Sequence, residues 1–572
     1  MRIYDMVHAT KPEGIENKKA YIIGGGIAGL AAAAFLATEA QMPAKNITVI
    51  EQLKVVGGAM DGAGSAGQGY TCRGERELEA RMECLWYLCS KIPSVQTPGL
   101  TVLDETHRAN VREPIYSKYR LMHKQGQLYD YTGPLMSEVD GMKMTALILT
   151  PEEKLEGLTI KNWFSPEFTK SPYWYCWSTM LAFRDHHSLI EARRYVNRFA
   201  MYAADLINLR YILHTEYNEY DSIIKPLLVW LRSMGVQFRT NTTVVDIDLE
   251  NKDKETVVTG LTLKGQAEEQ HLALTRDDLV FFTNGSLTQN YTMGDTNTVP
   301  RLNRDTKDRG CFTLWEKLAA KDPKFGNPAA FLSNMEASNF ISFFPTIRDR
   351  TFIDHMERMT GNKAGTGGAT TVVDSSWKIS FVIYNKYFPD QPADVNVLWA
   401  YGQCSDVPGD YIKKPMRECT GAEMMSELLY HVGLKDKIDQ ILKHTTVSTC
   451  AMPYVTSQFM PRKVKERPKV IPEGCVNLAF LGQFVEVPGD CVFTVETSVR
   501  TAMMAVWGLT HLDKPMIPMY EPIYDIRVIL KRLKLQMGPT GVTPTKVLGL
   551  LKDPNAAKLV MEALPHIPDP QI

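Results

Sequence analysis

Three glycines, Gly24, Gly26 and Gly29, stand in the run Tyr21-Ile-Ile-Gly-Gly-Gly-Ile-Ala-Gly-Leu30 at the spacing G-x-G-x-x-G. The pattern suits the binding of a phosphate chain. Gly24 permits a tight turn, Gly26 lets backbone come close to a pyrophosphate, and Gly29 lets a helix pack closely on a strand, while the helix N-terminus favours the anion. Alone, such a pattern is weak. Here it follows a short apolar run and opens an Ala-rich helix, Leu30 to Ala40, which is the context it requires. A second strand, Asn46-Ile-Thr-Val-Ile-Glu51, ends in an acid 22 positions after Gly29, placed to accept from a ribose hydroxyl. Gly57-Gly58-Ala-Met60 then offers a second close passage of backbone along a dinucleotide. A motif that opens the chain and a Gly-Gly pair after the acid favour FAD over NAD.

Acid–base candidates are less distinctive on their own. Glu75, Glu77, Glu79 and Glu83 crowd one stretch and read as a solvated helix face. Tyr195, in Glu191-Ala-Arg-Arg-Tyr-Val-Asn-Arg-Phe199, reads as a packing residue of an amphipathic helix. The ten cysteines include no C-x-x-C pair, which suits reduced thiols, and no residue is assigned to a metal.

These residues need a large scaffold. A chain of 572 residues is too long for one ordinary core. The fold class predicted is α/β: a Rossmann-type FAD-binding domain interrupted by an α+β substrate domain, with a C-terminal helical region. Residues 17–135 form the first FAD-binding segment, and 136–214 a mostly helical substrate or cap segment. Residues 215–299 return to the FAD domain, 300–469 form the substrate domain, 470–512 close the FAD domain, and 513–572 are helical. Leu279-Val-Phe-Phe-Thr-Asn-Gly285 and Leu478-Ala-Phe-Leu-Gly482 read as buried strands ending in turns, and Thr494 to Leu509 as a helix. The aromatic cluster Pro172 to Trp177 reads as core, and the glycine-rich run Gly361 to Gly368 as an ordinary turn. A formal net charge of −1 argues against nucleic acid as the main partner. No apolar run approaches the ~18 residues of a spanning helix, and the first residues lack a secretory apolar region, so a cytoplasmic protein is expected. Ile523, Ile526, Leu530, Leu533 and Met537 share one helical face, with Arg527, Lys531, Arg532 and Lys534 around it. Such a helix either packs on its own protein or lies on an anionic membrane.

Several long runs resemble the oleate hydratase family, also called myosin-cross-reactive antigens. They are Arg73 to Trp86, Tyr217-Asn-Glu-Tyr220, Gly361 to Trp377, Gly409 to Gly421, Met452 to Pro461, and Gly482 to Asp490 leading into Phe493 to Arg500. The resemblance extends from about residue 18 to beyond 510 and implies an FAD-dependent enzyme that adds water across a cis double bond of an unsaturated fatty acid. Reduced flavin is implied to give the more active form. The family's acid loop, Arg-Gly-Gly-Arg-Glu-Met, falls on Arg73-Gly74-Glu75-Arg76-Glu77-Leu78, so the water-activating glutamate is implied to be Glu77 and the proton donor to be Tyr195. The implied cofactor contacts are Gly24, Gly26, Ala28, Gly29, Glu51, Gln52, Gly58 and Met60, then Arg73, Gly74 and Glu75, and later Asn284, Gly482, Phe493 and Thr497. The chain departs from the family at Glu75, which replaces a glycine, and at Glu219, which replaces a glutamine. It departs again at Phe381, Ile383 and Tyr387, which stand where the family holds the substrate carboxylate and are poor ligands for it.

Two other readings stay open at this stage. One is a flavin-dependent isomerase or oxidoreductase acting on fatty acids. The other is a membrane-surface, lipid-binding flavoprotein without turnover. A homodimer is a further expectation.

Overall fold

Short apolar runs that end at glycine or at an acid become the strands of one parallel sheet. The computed structural model describes residues 8–130, 133–265, 268–522 and 525. Its parallel strands are β1 (Ala20–Ile23), β2 (Ile47–Ile50), β3 (Gln237–Arg239), β4 (Leu279–Thr283) and β5 (Leu478–Leu481), in the order β5-β4-β1-β2-β3. The register pairs Ala20 with both Leu279 and Ile47, and Val280 with Leu478. In a parallel sheet every strand ends on the same edge. The glycine motif, Glu51, Thr283 and Gly482 therefore meet there although hundreds of residues separate them in sequence.

Helix α1 (Ile27–Thr38) starts in the glycine motif and is buried from Ile27 to Leu36. A helix apolar on all sides must be covered on all sides. Helix α1 lies between the sheet and a long late helix, Val495–Thr510, where Phe35 meets Trp507 edge-on at 5.5 Å. At Gly29 it packs against the end of β1, where an added Cβ would stand 2.0 Å from the Gly24 carbonyl oxygen and 3.0 Å from Ile22 Cγ2. Gly29→Ala is therefore expected to force strand and helix apart and to cost about 1–3 kcal/mol, as overpacking does. Thermal unfolding of the variant checks this.

The second large sheet has eight strands, ordered Thr292–Gly294, Thr445–Met452, Phe340–Ile347, Asn396–Gly402, Ile379–Tyr384, Thr370–Val372, Leu121–His123 and Gln127–Leu128. All its pairings are antiparallel except that of Thr371 and Val372 with Leu121 and Met122. It thus draws strands from both sides of the mostly helical segment. Strand Phe340–Ile347 is buried along its whole length. Ile341, Phe343 and Ile347 pack into one core, and Phe340 and Phe344 into another on the opposite face. A third core gathers the helices between Glu138 and Arg198, including Tyr173, Trp174 and Trp177. The run Gly361 to Gly368 is a loop, with Lys118 Nζ bonded to the Gly361 carbonyl.

All ten cysteines are free. No helix among the described residues is long and apolar enough to cross a membrane. Arg527, Lys531, Arg532 and Lys534 lie outside the described residues.

Candidate active site

Two cavities, of about 150 and about 350 Å³, share a wall made by Arg73, Arg76, Leu287, Thr288, Phe493 and Val495. The larger lies along the C-terminal edge of the parallel sheet. Gly24, Gly26, Ala28, Glu51, Gln52, Gly58, Met60, Arg73, Gly482 and Phe493 line it. At Gly58 φ is +63°, and a Cβ there would stand 2.8 Å from Gly26 Cα. Two glycine backbones thus face each other where a side chain would fill the space. The buried Thr283 hydroxyl, beside this space, has no partner among the described residues. A glycine-lined groove at the sheet edge, with a helix N-terminus beside it, fits a dinucleotide. Glu51 is placed to hold the loops of this groove. Its carboxylate accepts from Gly25 N and Leu53 N, both at 2.8 Å.

Three residues expected at the cofactor stand behind this wall. Gly29 is spent on helix–strand packing. Asn284 is fully buried and donates to the Phe484 carbonyl at 3.2 Å. Thr497 is fully buried with its hydroxyl on the Cys491 carbonyl at 2.5 Å. Gly74 and Glu75 line the smaller cavity instead. Sequence reading missed Ser286 to Tyr291, which line the dinucleotide cavity directly after β4. The signal available was positional: in a sheet of this kind the loop after each strand end is a candidate contact.

The smaller cavity is mostly apolar, walled by Tyr173, Trp177, Leu181, Phe199, Leu206, Trp399 and Tyr401 among others. Tyr211 lines it and is 49% exposed. The loop Arg73 to Glu79 crosses between the two cavities and is pinned along its length. Arg73 bonds Asp61 Oδ2 at 2.9 Å and the Gly58 carbonyl at 2.6 Å, and its guanidinium lies 4.4 Å from the Tyr291 ring centre. Arg76 N donates to Glu219 Oε1 at 3.1 Å. Leu78 pairs with Leu213 and Glu79 with Ile212, and Glu79 holds Arg198 at 2.9 Å.

This loop delivers Glu75 and Glu77 to the cavity. Both are half-buried on its wall. Burial pushes the Glu77 carboxyl up to about 7, with the buried Arg120 guanidinium pulling the other way. Glu75 rises well above the usual carboxylate range, first from burial and then from the charges of Glu77 and Glu219, with Arg76 opposing. Arg120 gave no signal in the sequence. It is fully buried and donates to the carbonyls of Ala369, Leu206 and Cys176.

Tyr195, on helix Leu189–Arg198, lines the same cavity. Its hydroxyl donates to the Val492 carbonyl, and its ring meets Phe183 edge-on at 5.0 Å. Burial raises this phenol well above its ordinary value. Its sequence neighbours are engaged elsewhere: Arg194 binds Glu152 and Glu486, and His187 Nδ1 accepts from Arg184 N. Phe381, Ile383 and Tyr387 are not on this cavity; Tyr387 instead donates to Glu219 Oε2 at 3.2 Å.

A family model described as "MCRA family" matches residues 17–507. An oleate hydratase of Streptococcus pyogenes serotype M49 (strain NZ131) is 39% identical over 532 residues, covering 91% of this chain and 90% of that protein. A linoleate hydratase of Lactiplantibacillus plantarum is 30% identical over 570 residues, covering 90% and 98% respectively. Among solved structures, putrescine oxidase bound to putrescine is similar at a TM-score of 0.51 and 12% identity, over 86% of this chain and 99% of that one, a likeness of fold alone.

Proposed function

The chain belongs to the MCRA family, and on that premise we propose how it acts: as a hydro-lyase that adds water across a cis double bond of an unsaturated fatty acid to give a hydroxy fatty acid. The cofactor is FAD, which Gly24, Gly26, Gly58 and Arg73 of the glycine-lined groove would hold. When bound, FAD organises the site, and its reduced form is the more active. Hydration itself transfers no electrons overall. The observation that carries the reading is the placement of Glu77. It stands on a mostly apolar cavity that shares a wall with the dinucleotide groove.

The alkene needs a proton on one carbon and water directed at the other. Glu77, with its carboxyl near 7, is ionised in a large fraction of molecules at neutral pH and serves as the base that orients and deprotonates the water. The apolar walls align the chain and exclude competing water. The Tyr195 phenol on the cavity wall, which the resemblance assigns, supplies the proton. Incubating the FAD-loaded protein with a panel of cis-unsaturated acids and weighing the products tests the reading. A product heavier by one water supports it. An unchanged mass indicates isomerisation, and loss of two hydrogens indicates desaturation.

The C-terminal basic stretch is proposed to contact an anionic membrane surface, from which a fatty acid could be drawn. Basic residues near such a surface each contribute on the order of 1 kcal/mol. Replacing Arg527, Lys531, Arg532 and Lys534 with Gln is expected to weaken partitioning onto anionic vesicles by roughly 10²-fold or more, with activity on dispersed substrate largely kept. Unchanged vesicle binding would return this stretch to packing on its own protein.

A further inference from the structure

We propose that the Val492–Phe493 peptide and the Phe493 ring form the joint through which FAD in the groove sets the position of the Tyr195 hydroxyl. Phe493 is then a positioning residue for the proton donor. This rests on the hydratase reading and says how a cofactor that exchanges no electrons overall can act on the acid. Phe493 lines both cavities. It also packs against three cores: that of the parallel sheet, that of the helices between Glu138 and Arg198, and that holding Phe340 and Phe344.

The backbone at this residue is unusual. φ at Phe493 is +76°, a left-handed conformation that bulky side chains rarely adopt. Glycine is the default residue there, so a phenylalanine points to a use for its ring. Such a conformation persists only where the surroundings fix it. On one side, the Cys491 carbonyl accepts from the Thr494 hydroxyl at 2.9 Å and from the Thr497 hydroxyl at 2.5 Å. On the other side, Gln483, two residues beyond β5, grips the turn. Its side-chain oxygen accepts from Phe493 N, and its Nε2 donates to the Thr494 carbonyl at 2.9 Å and to Ser498 Oγ at 2.7 Å. Gln483 itself lines the dinucleotide cavity.

A peptide unit is flat and trans, so its N–H and C=O point in opposite directions. In the unit that joins Val492 to Phe493, the N–H donates to Gln483, on the groove. The C=O accepts from the Tyr195 hydroxyl, on the smaller cavity. One rigid plane thus runs from a groove residue to the proton donor. Ring contacts supply a second route. Phe493 meets the Phe459 ring edge-on at 5.4 Å, and Phe459 meets the Tyr195 ring edge-on at 5.6 Å. Moving Phe493 therefore moves both the acceptor that fixes the phenol oxygen and the ring packed against it. A misplacement of about 1 Å at a reacting group can cost on the order of 10²-fold in rate.

The test is a double-mutant cycle on the FAD-loaded full chain, with a cis-unsaturated acid that the wild type hydrates. Phe493→Gly permits the same backbone conformation without strain and removes the ring. It is expected to lower kcat by about 10²-fold with FAD content and KM little changed. In a Tyr195→Phe background the same change should cost little more, because the hydroxyl it positions is already gone. Wild-type kcat in Phe493→Gly, or losses that multiply in the double variant, overturn the proposal. A second measurement needs neither substrate nor variant. FAD added to wild-type protein stripped of flavin is expected to slow amide hydrogen exchange in Leu189–Arg198 as well as along the groove. Protection confined to the groove overturns the proposal, and this measurement decides if Phe493→Gly takes up no FAD. A wild type that hydrates no acid in the panel is a failure of the hydratase reading, recognisable before any variant is made, and the exchange measurement still tests the joint.

Discussion

Glu77→Gln is expected to lower turnover by about 10²- to 10⁴-fold while FAD content and fatty acid binding persist. The substitution keeps the shape of the side chain and removes its basicity. Glu77 is held in the cavity by a loop pinned at Arg73, Arg76 and Glu79, so the amide should occupy the same place. The pH dependence follows in sign from the position of this group. Its carboxyl is raised to about 7 by burial, and only the ionised form is a base. Turnover should therefore fall as pH drops through about 7, approaching tenfold per unit below it. Steady-state rates of wild type and variant between pH 5 and 9 would check both statements. A variant that keeps wild-type turnover would remove Glu77 from the chemistry.

Gly26→Val is expected to abolish FAD uptake. A Cβ at Gly26 would stand 3.7 Å from Gly58 Cα, an ordinary contact, so Gly26→Ala should keep much of its flavin. The branches of valine, however, enter the space between the two glycine backbones, which is where a pyrophosphate must pass. Gly58→Ala should also fail, for a different reason: φ is +63° there and the new Cβ would lie 2.8 Å from Gly26 Cα. The ratio of flavin to protein absorbance in each purified variant measures this. Full flavin content in Gly26→Val would place the cofactor elsewhere.

Much of the nucleotide-binding half was legible because its signals are local. The strand before Gly24, the helix after it and the acid at Glu51 announce themselves within a few dozen residues. Even the return strands at Leu279 and Leu478 carry short apolar runs ended by turns, and they pair as β4 and β5. What lay beyond the sequence depends on packing across the chain. Leu121–His123 joins a sheet whose other strands mostly begin after residue 290, a pairing that no local pattern encodes. Asn284 and Thr497 sit at the right places in sequence but turn inward to the Phe484 and Cys491 carbonyls. The loop acids looked like a solvated face. The cavity that Glu75 and Glu77 line, and the effect of the Arg120 charge on Glu77, arise only when segments more than 40 residues apart come together. The direction of the Tyr195 hydroxyl is likewise set by a partner, Val492, almost 300 residues away.

The most direct test is the origin of the new oxygen. The FAD-loaded protein, reduced once, would be incubated with a cis-unsaturated fatty acid in ¹⁸O-labelled water, and the product weighed. The expected product is a hydroxy fatty acid carrying one ¹⁸O per molecule, formed over many turnovers without consumption of reductant. A product lacking ¹⁸O, or one formed only with stoichiometric use of reductant, would contradict hydration at Glu77.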